Sequence, residues 1–519
     1  MSTTGHTTKT TRTSRQNRSI GSALTRLGKE LKKEDVRKPI PFRKYLQVMQ
    51  TQPERTLRNV FQLFYDMIHY YVPSGQDEYP NDPESINYIF YDTSWLLVEN
   101  SSNPYFADRL FANRLINQAR ASKETAQQNF IYLFEGPPGT GKSTFLNNLL
   151  QKMEDFTLID EGSYWETTWQ LDVAKLGGFS PMATVLTVDG DLTESEETIL
   201  RPDMYPDKTL MVPCPCHCHP VIQIPKAHRE EFLSEIMGDS PMLDALLDQP
   251  QYAWVLEDEP CTVCQSLYNA VLEKVHSPTE VLNMIFPRRY TFNRRLGEGV
   301  SVYNPGDTVV KRPITNPVLQ NLLNNLFRDS NSVRYVYSRM GKTNNGVFAI
   351  MDVKSQNRDR IINLHGIISD RVHKVEYLEE YVSSLFLCVV NPEDEKFLQE
   401  IPSYEDRVVR IRMPYVLDYL TESAIYRDKI GEGIRKRFLP GAQETFAKVI
   451  ISSRLKSRSE AIDAWIKDKK AYRAFADEHL LLLKMDVYTG LIPAWLSEAD
   501  LKRFEARHRR ALIGEGEFE

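Results

Sequence analysis

A chain of 519 residues is too long for one compact core, so two to four structural units are expected. With 41% hydrophobic and 26% charged residues, the composition excludes collagen-like, wholly disordered and disulfide-scaffold classes. The sequence contains no run approaching the roughly 18 apolar residues that a membrane-spanning helix needs, and its start lacks the apolar core of a secretory signal. We therefore expect a cytoplasmic protein without a membrane partner, whose six cysteines serve metal binding or chemistry before disulfides.

The first 38 residues differ in composition from the rest of the chain. They hold ten Lys/Arg against three Asp/Glu, a balance of +7, whereas the whole chain carries −6. A basic, Thr/Ser-rich segment without aromatic residues buries too little apolar surface to fold. Residues 1–38 are therefore predicted to form a disordered basic arm. A solvated tail is the simpler interpretation, and contact with nucleic acid or an acidic partner is the alternative.

Residues 39–125 show helical and aromatic patterning. Large apolar side chains recur mostly at spacings of three and four, as on the buried face of a helix: Phe42, Tyr45, Leu46, Val60, Phe61, Phe64, Met67 and Ile68. The sequence predicts an N-terminal helical region here.

A second unit begins with the apolar run at 130–134, which is short, rich in β-forming residues and typical of a buried strand. The glycine-rich segment 136–144 follows directly, and then a helical run at 145–150. This order fits G-x-x-x-x-G-K-[ST] in the strand–loop–helix context that a phosphate-binding loop requires. The residues predicted to bind nucleotide are Gly136, Pro137, Pro138, Gly139, Thr140, Gly141, Lys142, Ser143 and Thr144.

The chemistry of this loop predicts a nucleoside triphosphate ligand, taken as ATP. Glycines let backbone N–H groups turn toward phosphates, and the helix N-terminus adds partial positive charge. Lys142 would contact the β- and γ-phosphates, and the Ser143 hydroxyl would bind Mg²⁺.

Hydrolysis also needs an acid at the end of a neighbouring strand, and three segments compete for that role. The segment 156–161 ends in Asp-Glu but follows the loop helix so closely that we predict only the next strand of the sheet. The segment 185–189 also imitates a strand that ends in a catalytic acid, and we do not favour it. The apolar run 346–352, which ends at Asp352, is the better candidate, and the run 385–391 is a further strand that ends in Asn391.

These patterns together predict an α/β fold. Residues 126–400 would form a P-loop core of three α/β/α layers around a parallel sheet, with a Cys/His-rich insertion at about 200–300. Residues 401–519, rich in Lys, Arg, Glu, Ala and Leu, would form a C-terminal helical lid.

The segment 406–417, Asp-Arg-Val-Val-Arg-Ile-Arg-Met-Pro-Tyr-Val-Leu, resembles the D-R-[IV]-x-x-[VI]-x-V-P-Y-x-L stretch of the bacterial PrkA-type serine protein kinases. Further matches lie in the same order along the chain: Phe42 to Leu46, Tyr65 to Ile68, Cys214-Pro215 with His217, Cys261 to Cys264, Ser453 to Leu455 and Tyr488 to Gly490. This resemblance extends from about residue 40 to the C-terminus. It implies an AAA+ core, ATP-dependent phosphoryl transfer to protein serine, a protein substrate and a homo-oligomeric ring.

The resemblance also assigns catalytic roles to four residues. Lys142 belongs to the loop itself, Asp352 matches the second Walker B acid, and Asn391 falls at the sensor-1 position. Arg407 lies where AAA+ rings place an arginine that contacts a neighbour's γ-phosphate, although a solvated arginine beside Asp406 explains it equally well.

Three departures from the family pattern affect these expectations. Ala349 stands where the family has its first Walker B acid, and Ile222 replaces its second histidine. The sequence stops before the glycine-rich segment with the sensor-2 arginine and the kinase-like region, so a truncated lid is expected. Kinase activity is thus an expectation from the family alone. An AAA+ remodelling ATPase acting on a client, and an ATP-switched scaffold, are the alternatives.

Five of the six cysteines lie between positions 214 and 264. A C-x-x-C pair with a second Cys/His cluster predicts a tetrahedral zinc site, and a closed set of four ligands predicts a structural role. We expect Cys214, His217, Cys261 and Cys264 as ligands, with Cys216, Cys218 and His219 as alternatives. Cys388 lies in an apolar run and is expected in the core.

An arginine cluster comprises Arg288, Arg289, Arg294 and Arg295. Such a cluster is capable of binding nucleic-acid phosphates, but a solvated basic face is the simpler interpretation. Nucleic acid is therefore not expected as a partner.

Overall fold

The computed structural model describes residues 25–27, 38–78, 80, 88–124, 130–179, 209–307, 312–354, 358–376, 378–394, 405–430 and 437–516. The predicted basic arm 1–38 falls outside these residues except at 25–27 and 38. The segment 185–189 also lies outside them.

Thirteen strands lie in the described part of the chain. They are β1 (Ile131–Glu135), β2 (Trp165–Glu166), β3 (Thr168–Asp172), β4 (Thr209–Pro213), β5 (Arg288–Arg289), β6 (Val300–Tyr303), β7 (Ile314–Thr315), β8 (Val336–Tyr337), β9 (Val347–Ile350), β10 (Val372–Val375), β11 (Leu378–Tyr381), β12 (Leu385–Val390) and β13 (Val408–Arg412).

The helices of the front and the middle are α1 (Phe42–Thr51), α2 (Pro53–Thr56), α3 (Val60–Tyr71), α4 (Ser94–Leu97), α5 (Arg109–Glu124), α6 (Lys142–Leu158), α7 (Lys226–Met237), α8 (Pro241–Asp248), α9 (Ala253–Glu257), α10 (Thr262–Val275), α11 (Pro278–Asn283), α12 (Pro317–Phe327) and α13 (Arg358–Asp370). Those of the C-terminal part are α14 (Tyr419–Lys429), α15 (Ala442–Ser452), α16 (Glu460–Trp465), α17 (Leu481–Thr489), α18 (Glu498–Arg503) and α19 (Ala506–Gly516). None of the helices in the described ranges is long and apolar enough to cross a membrane.

A five-stranded sheet forms the centre of the fold, in the order β13-β1-β12-β9-β6. Every pairing in it is parallel. The strand β12 is buried at all six positions, as a continuous apolar run in a parallel sheet should be. Its register with β1 pairs Ile131 with Phe386 and Glu135 with Val390. The protein therefore has an α/β core built on a parallel sheet with many helices, as the sequence predicts.

The order of the strands places a reversal beside β1. After β1 the chain forms the far edge strand β6, returns through β9 and β12, and then crosses to β13 on the other side of β1. In open parallel sheets, ligands bind at such a reversal, outside the carboxyl ends of the strands. The loop after β1 lies at that position.

Separate apolar clusters pack around this frame. One cluster joins α3 and α5 to one face of the sheet and to α6, and another packs α13 on the sheet's other face. A third cluster joins α1 to β3, β4, α10 and the cysteines, outside the central sheet. The C-terminal helices form two further clusters, one of which includes Tyr88 and Leu110 of the front.

Two sequence predictions are wrong in detail. The segment 156–161 does not begin a strand, because α6 continues to Leu158 and uses Phe156 on its buried face. The core does not end at residue 400, because β13 is an edge strand of the central sheet. The Cys/His-rich segment also packs with a strand that precedes it, because β3 pairs with β4 and Trp169 of β3 is buried in the same cluster as Cys214, Cys218, Cys261 and Cys264.

Candidate functional site

The loop between β1 and α6 takes its shape from three glycines. Gly139 and Gly141 have φ of 88° and 81°, in the left-handed region that side chains disfavour. At Gly136 a Cβ would lie 2.1 Å from the carbonyl oxygen of Met413, the residue that follows β13. Only glycine fits these positions, and the loop consequently closes tightly over the carboxyl end of β1.

Lys142 is the first residue of α6 and is only 5% exposed. Its Nζ donates to the carbonyl oxygens of Gly136, at 2.6 Å, and Pro137, at 2.8 Å, so the ammonium group lies inside the loop. Burial lowers the pKa of Lys142, and the charge of Asp352 opposes that shift. No side chain caps the start of α6, and the first N–H groups of a helix lack partners within it. The loop therefore presents a cation and helix-end donors at one place, as an anion site requires.

Asp352 lies just beyond β9, at the carboxyl edge where β1 also ends. Its φ of 52° is unusual for a residue other than glycine, although Asp tolerates this region better than most. The negative charge of Asp352 raises the pKa of Lys142 and so favours the charged form of the ammonium group. Ala349, by contrast, is fully buried within the strand, so no acid from that position reaches the edge.

Asn391 follows the last residue of β12. The backbone N–H of Gly136 donates to the carbonyl oxygen of Val390 at 3.4 Å, which places Asn391 beside the start of the loop. Its Nδ2 lies 3.5 Å from Asp394 Oδ2. Lys142, Asp352 and Asn391 therefore lie at one edge of the sheet, beyond the carboxyl ends of β1, β9 and β12 respectively.

Arg407 does not join this group. It precedes β13, which runs parallel to β1, so it lies at the amino edge of the sheet. The length of β13 separates it from the loop by about 16 Å, at roughly 3.3 Å per residue. Its guanidinium donates to Ser369 Oγ at 2.7 Å and 3.1 Å. Arg407 consequently lies at the opposite edge of the sheet from the loop, too far away to act on a phosphate held by the loop of its own chain.

Residues far apart in the sequence complete the surroundings of the loop. The hydroxyl of Tyr415 donates to the carbonyl oxygen of Pro138 at 3.3 Å. The ring of Tyr105 packs against Gly141, 3.1 Å from where a Cβ would be. Asn103 donates to Thr144 Oγ1 at 3.1 Å and accepts from Lys429 Nζ at 2.9 Å. These contacts have no local sequence signal; only Tyr415 belongs to a segment that the sequence singles out.

Four cysteines form a second candidate site. The Sγ atoms of Cys214, Cys218, Cys261 and Cys264 all lie within 4.8 Å of one another, and the side chains are buried. Cys214 follows β4, Cys261 directly precedes α10, and Cys264 lies in that helix's first turn. The C-x-x-C spacing puts the last two on one face of the helix start.

The geometry of the cluster fits one tetrahedral metal ion. With Zn–S bonds of about 2.3 Å, neighbouring sulfur atoms are about 3.8 Å apart. Cys214 Sγ and Cys261 Sγ are 3.6 Å apart, and both cysteines are free of disulfides. Three N–H groups also point at these sulfur atoms: Cys218 N at 3.4 Å, Cys261 N at 3.2 Å and Trp169 Nε1 at 3.4 Å. Such donors stabilise thiolate charge around a metal.

The structure differs from the sequence prediction at one ligand. His217 is not in the cluster, and Cys218, one of the predicted alternatives, takes the fourth position. His217 has a left-handed φ of 47°, and its Nδ1 donates to Glu166 Oε2 at 2.6 Å. Its ring stacks on Tyr290 with centroids 4.2 Å apart. The histidine therefore packs between the turn 214–218 and the β2–β5 ribbon.

The arginine cluster has structural contacts. Arg288 Nε donates to Glu166 Oε1 at 2.6 Å, and Arg289 donates to the carbonyl oxygen of Ile159 at 2.5 Å. Arg294 donates to Asn147 Oδ1 at 2.8 Å.

Cys388 is buried in β12, and burial raises the pKa of its thiol to about 12. It is a core residue, as the sequence predicts.

Comparison with known proteins identifies no relative: no family model, no curated protein and no solved structure matches this chain. The geometry of the two candidate sites is accordingly the basis for any functional assignment.

Proposed function

We propose that this protein binds ATP with Mg²⁺ at residues 136–144 and transfers the γ-phosphoryl group to water or to protein serine. The single observation that supports the proposal best is the position of Lys142. Its ammonium group lies inside a glycine-shaped loop, at the start of α6 and at the strand-order reversal of a parallel sheet. Positive charge and helix-end donors at one point are what a triphosphate requires.

The proposed roles follow from the chemistry of phosphoryl transfer. Lys142 neutralises β- and γ-phosphate oxygens, and the exposed Ser143 hydroxyl binds Mg²⁺. Asp352 orients the attacking group and holds the Mg²⁺ shell, and Asn391 donates to the γ-phosphate or to the nucleophile. The left-handed backbone of Asp352 supports a role of this kind, because residues in such conformations are enriched at active sites.

An AAA+ assignment explains Arg407 as well. An arginine at the amino edge of the sheet cannot stabilise charge at the loop of its own chain, so it would act on the nucleotide of a neighbour in a homo-oligomeric ring. This proposal, like the PrkA-type kinase activity on a protein substrate, rests on the sequence resemblance together with the placement of Arg407. A remodelling ATPase with a protein client uses the same residues with water as the acceptor.

A structural zinc ion is the proposed occupant of the four-cysteine site. Tetrahedral sulfur ligation selects zinc or iron, and a closed set of four buried ligands leaves no position for a reacting water. Zinc would tie the turn 214–218 to the start of α10. Cys218 then serves as the ligand that the sequence pattern assigned to His217.

The position of Ala349 favours a second candidate, an ATP-switched scaffold. Only one acid, Asp352, is delivered by β9, so Mg²⁺ binding and activation of the nucleophile fall on a single carboxylate. The scaffold predicts tight ATP binding with very slow turnover.

One experiment separates these candidates. Protein with and without Lys142→Ala is incubated with γ-labelled ATP, Mg²⁺ and a serine-rich acceptor, and free and protein-bound phosphate are counted in the same tube. Lys142-dependent label on protein supports the kinase, free phosphate alone supports the remodelling ATPase, and tight binding with neither product supports the scaffold. Absence of ATP binding, or equal binding by Lys142→Ala, contradicts the whole proposal.

A further inference from the structure

The turn that carries Cys214 and Cys218 is held on one side by the chain that follows α6. Thr167 lies between β2 and β3 and is fully buried. Its N–H and its hydroxyl both donate to the carbonyl oxygen of Cys218, at 2.9 Å and 2.8 Å. The N–H of Cys214 donates to the carbonyl oxygen of Thr167 at 3.2 Å. One edge of the turn is therefore fixed by three hydrogen bonds with Thr167.

Two adjacent asparagines hold the other edge of this turn. Asn344 Nδ2 donates to the carbonyl oxygen of Cys216 at 2.8 Å, and Asn345 Nδ2 donates to that of His217 at 3.1 Å. Asn344 is 8% exposed, and Asn345 has a left-handed φ of 55°. These side chains satisfy the two carbonyl groups at the tip of the turn, between the outer cysteine ligands.

The same asparagines, which lie just before β9, link the amino end of that strand to the amino end of β12. Asn344 Oδ1 accepts the N–H of Ser383 at 2.8 Å, and Asn345 N donates to the carbonyl oxygen of Ser383 at 2.7 Å. Ser383 lies just before β12, and the asparagines lie just before β9. Thr343 adds a third link between the two strand ends, because its carbonyl oxygen accepts a hydrogen bond from the hydroxyl of Ser384 at 2.7 Å.

These two strands deliver Asp352 and Asn391 to the phosphate loop. From Val347 to Ile350, β9 spans about 10 Å at roughly 3.3 Å per residue, and Asp352 follows two residues later. Both strands are buried throughout, and a close-packed protein interior has low compressibility and transmits strain. A shift at the amino ends is consequently transmitted to the carboxyl ends.

We propose that Asn344 and Asn345 are positioning residues for the nucleotide site, which tie the metal-binding turn 214–218 to the strands that present Asp352 and Asn391. The metal ion would fix the turn, the asparagine amides would fix both strand ends to it, and loss of the metal would loosen β9 and β12. The effect on catalysis rests on the proposed function; the coupling between the metal site and the strands does not.

Hydrogen exchange tests this coupling without reference to activity. The variants are Asn344→Asp, which retains the acceptor for Ser383 N–H but loses the donor to Cys216, and the matched control Asn113→Ala. Asn113 is likewise a buried amide that bridges backbone groups, Ile89 and Arg109, far from the turn. Peptides that cover β9 and β12 are compared with zinc and after chelation.

The expected result is at least tenfold faster exchange in β9 and β12 for chelated wild type and for zinc-loaded Asn344→Asp. The Asn113→Ala variant should exchange in β9 and β12 as zinc-loaded wild type does. If chelation and Asn344→Asp accelerate exchange only within 209–264, the coupling is overturned.

ATP hydrolysis provides the second readout. A positioning defect in Asn344→Asp should lower kcat at least tenfold and leave KM for ATP within about threefold, since the loop and Lys142 are intact. An unchanged kcat in Asn344→Asp, with active wild type, contradicts the positioning role but leaves the ATPase proposal standing. Inactive wild type contradicts the ATPase proposal instead, and the exchange data alone then decide the coupling.

Discussion

The four-cysteine assignment makes a sharp prediction at positions 217 and 218. Replacing Cys218 by alanine removes one of four sulfur ligands and one sulfur that accepts the N–H of Cys261 at 3.2 Å. Replacing His217 by alanine removes a hydrogen bond to Glu166 and a ring stacked on Tyr290, but no ligand. The two variants should therefore differ greatly in metal affinity, although the residues are adjacent.

The expected loss of zinc affinity follows from the part of the binding free energy that one ligand contributes. Structural sites bind zinc with a free energy of about 10–16 kcal/mol, so an equal share for one ligand of four is about 2.5–4 kcal/mol. At about 1.4 kcal/mol for each factor of ten, Cys218→Ala should weaken zinc binding roughly 60- to 700-fold. His217→Ala should weaken it less than about tenfold, the lower limit for removing an outer-shell partner.

The assay is metal content by mass spectrometry, followed by competition with a chromogenic chelator. Cys388→Ala is the matched control for loss of a buried thiol, because Cys388 lies in β12. Cys216 is another of the alternative ligands that the sequence offers, and it is buried in the same apolar cluster, so the double variant Cys216→Ala/Cys218→Ala is measured as well. If His217→Ala loses zinc while both Cys218 variants keep wild-type affinity, the four-cysteine assignment is refuted.

Three further outcomes are expected. The variant Asp352→Asn should hydrolyse ATP about 100-fold more slowly while it still binds ATP, since a positioned base contributes that much; equal turnover would exclude a catalytic role. Arg407→Ala alone should lose about 10³-fold in kcat, and mixing it with Lys142→Ala should restore activity, since each chain supplies what the other lacks; no recovery would exclude action in trans. Burial raises the pKa of Asp108 above its ordinary value of 3.8, so the carboxylate destabilises the fold as pH rises through 3.8. Asp108→Asn, which retains the acceptor for the N–H of Phe111 at 2.8 Å, should raise the unfolding free energy at pH 7 and leave it unchanged below pH 3.8 by urea titration; equal stability at pH 7 would contradict this.

Much of the sheet was predictable because its strands carry local signals. The apolar runs at 130–134, 346–352 and 385–391 correspond to β1, β9 and β12. The prediction of a strand at 156–161 was wrong, because an apolar run before two acids has the same pattern whether it ends a helix or forms a strand. The strand β13 was assigned to the wrong unit, since nothing in its own sequence states that it pairs with β1.

The two candidate sites differ in what the sequence can reveal. The loop at 136–144 is contiguous, so its glycines and Lys142 are visible as a motif. The fourth member of the cysteine cluster depends on the backbone at 217, where a left-handed φ of 47° directs the histidine to Glu166 and returns Cys218 to Cys214. Spacing alone does not encode that turn. The contacts of Asn344 and Asn345 are equally hidden, because they join residues 128 positions apart.

The central claim is that the loop at 136–144 binds ATP, and equilibrium binding tests it most directly. Mg²⁺·ATP is titrated calorimetrically into wild type, Lys142→Ala and the control Lys152→Ala. Lys152 lies on the same helix, with its Nζ 4.8 Å from the ring centroid of Tyr71 and away from the loop. The account predicts binding by wild type and Lys152→Ala, with at least tenfold weaker binding by Lys142→Ala, the loss expected for a charged hydrogen bond. No binding by wild type, or equal affinity in Lys142→Ala, would contradict it.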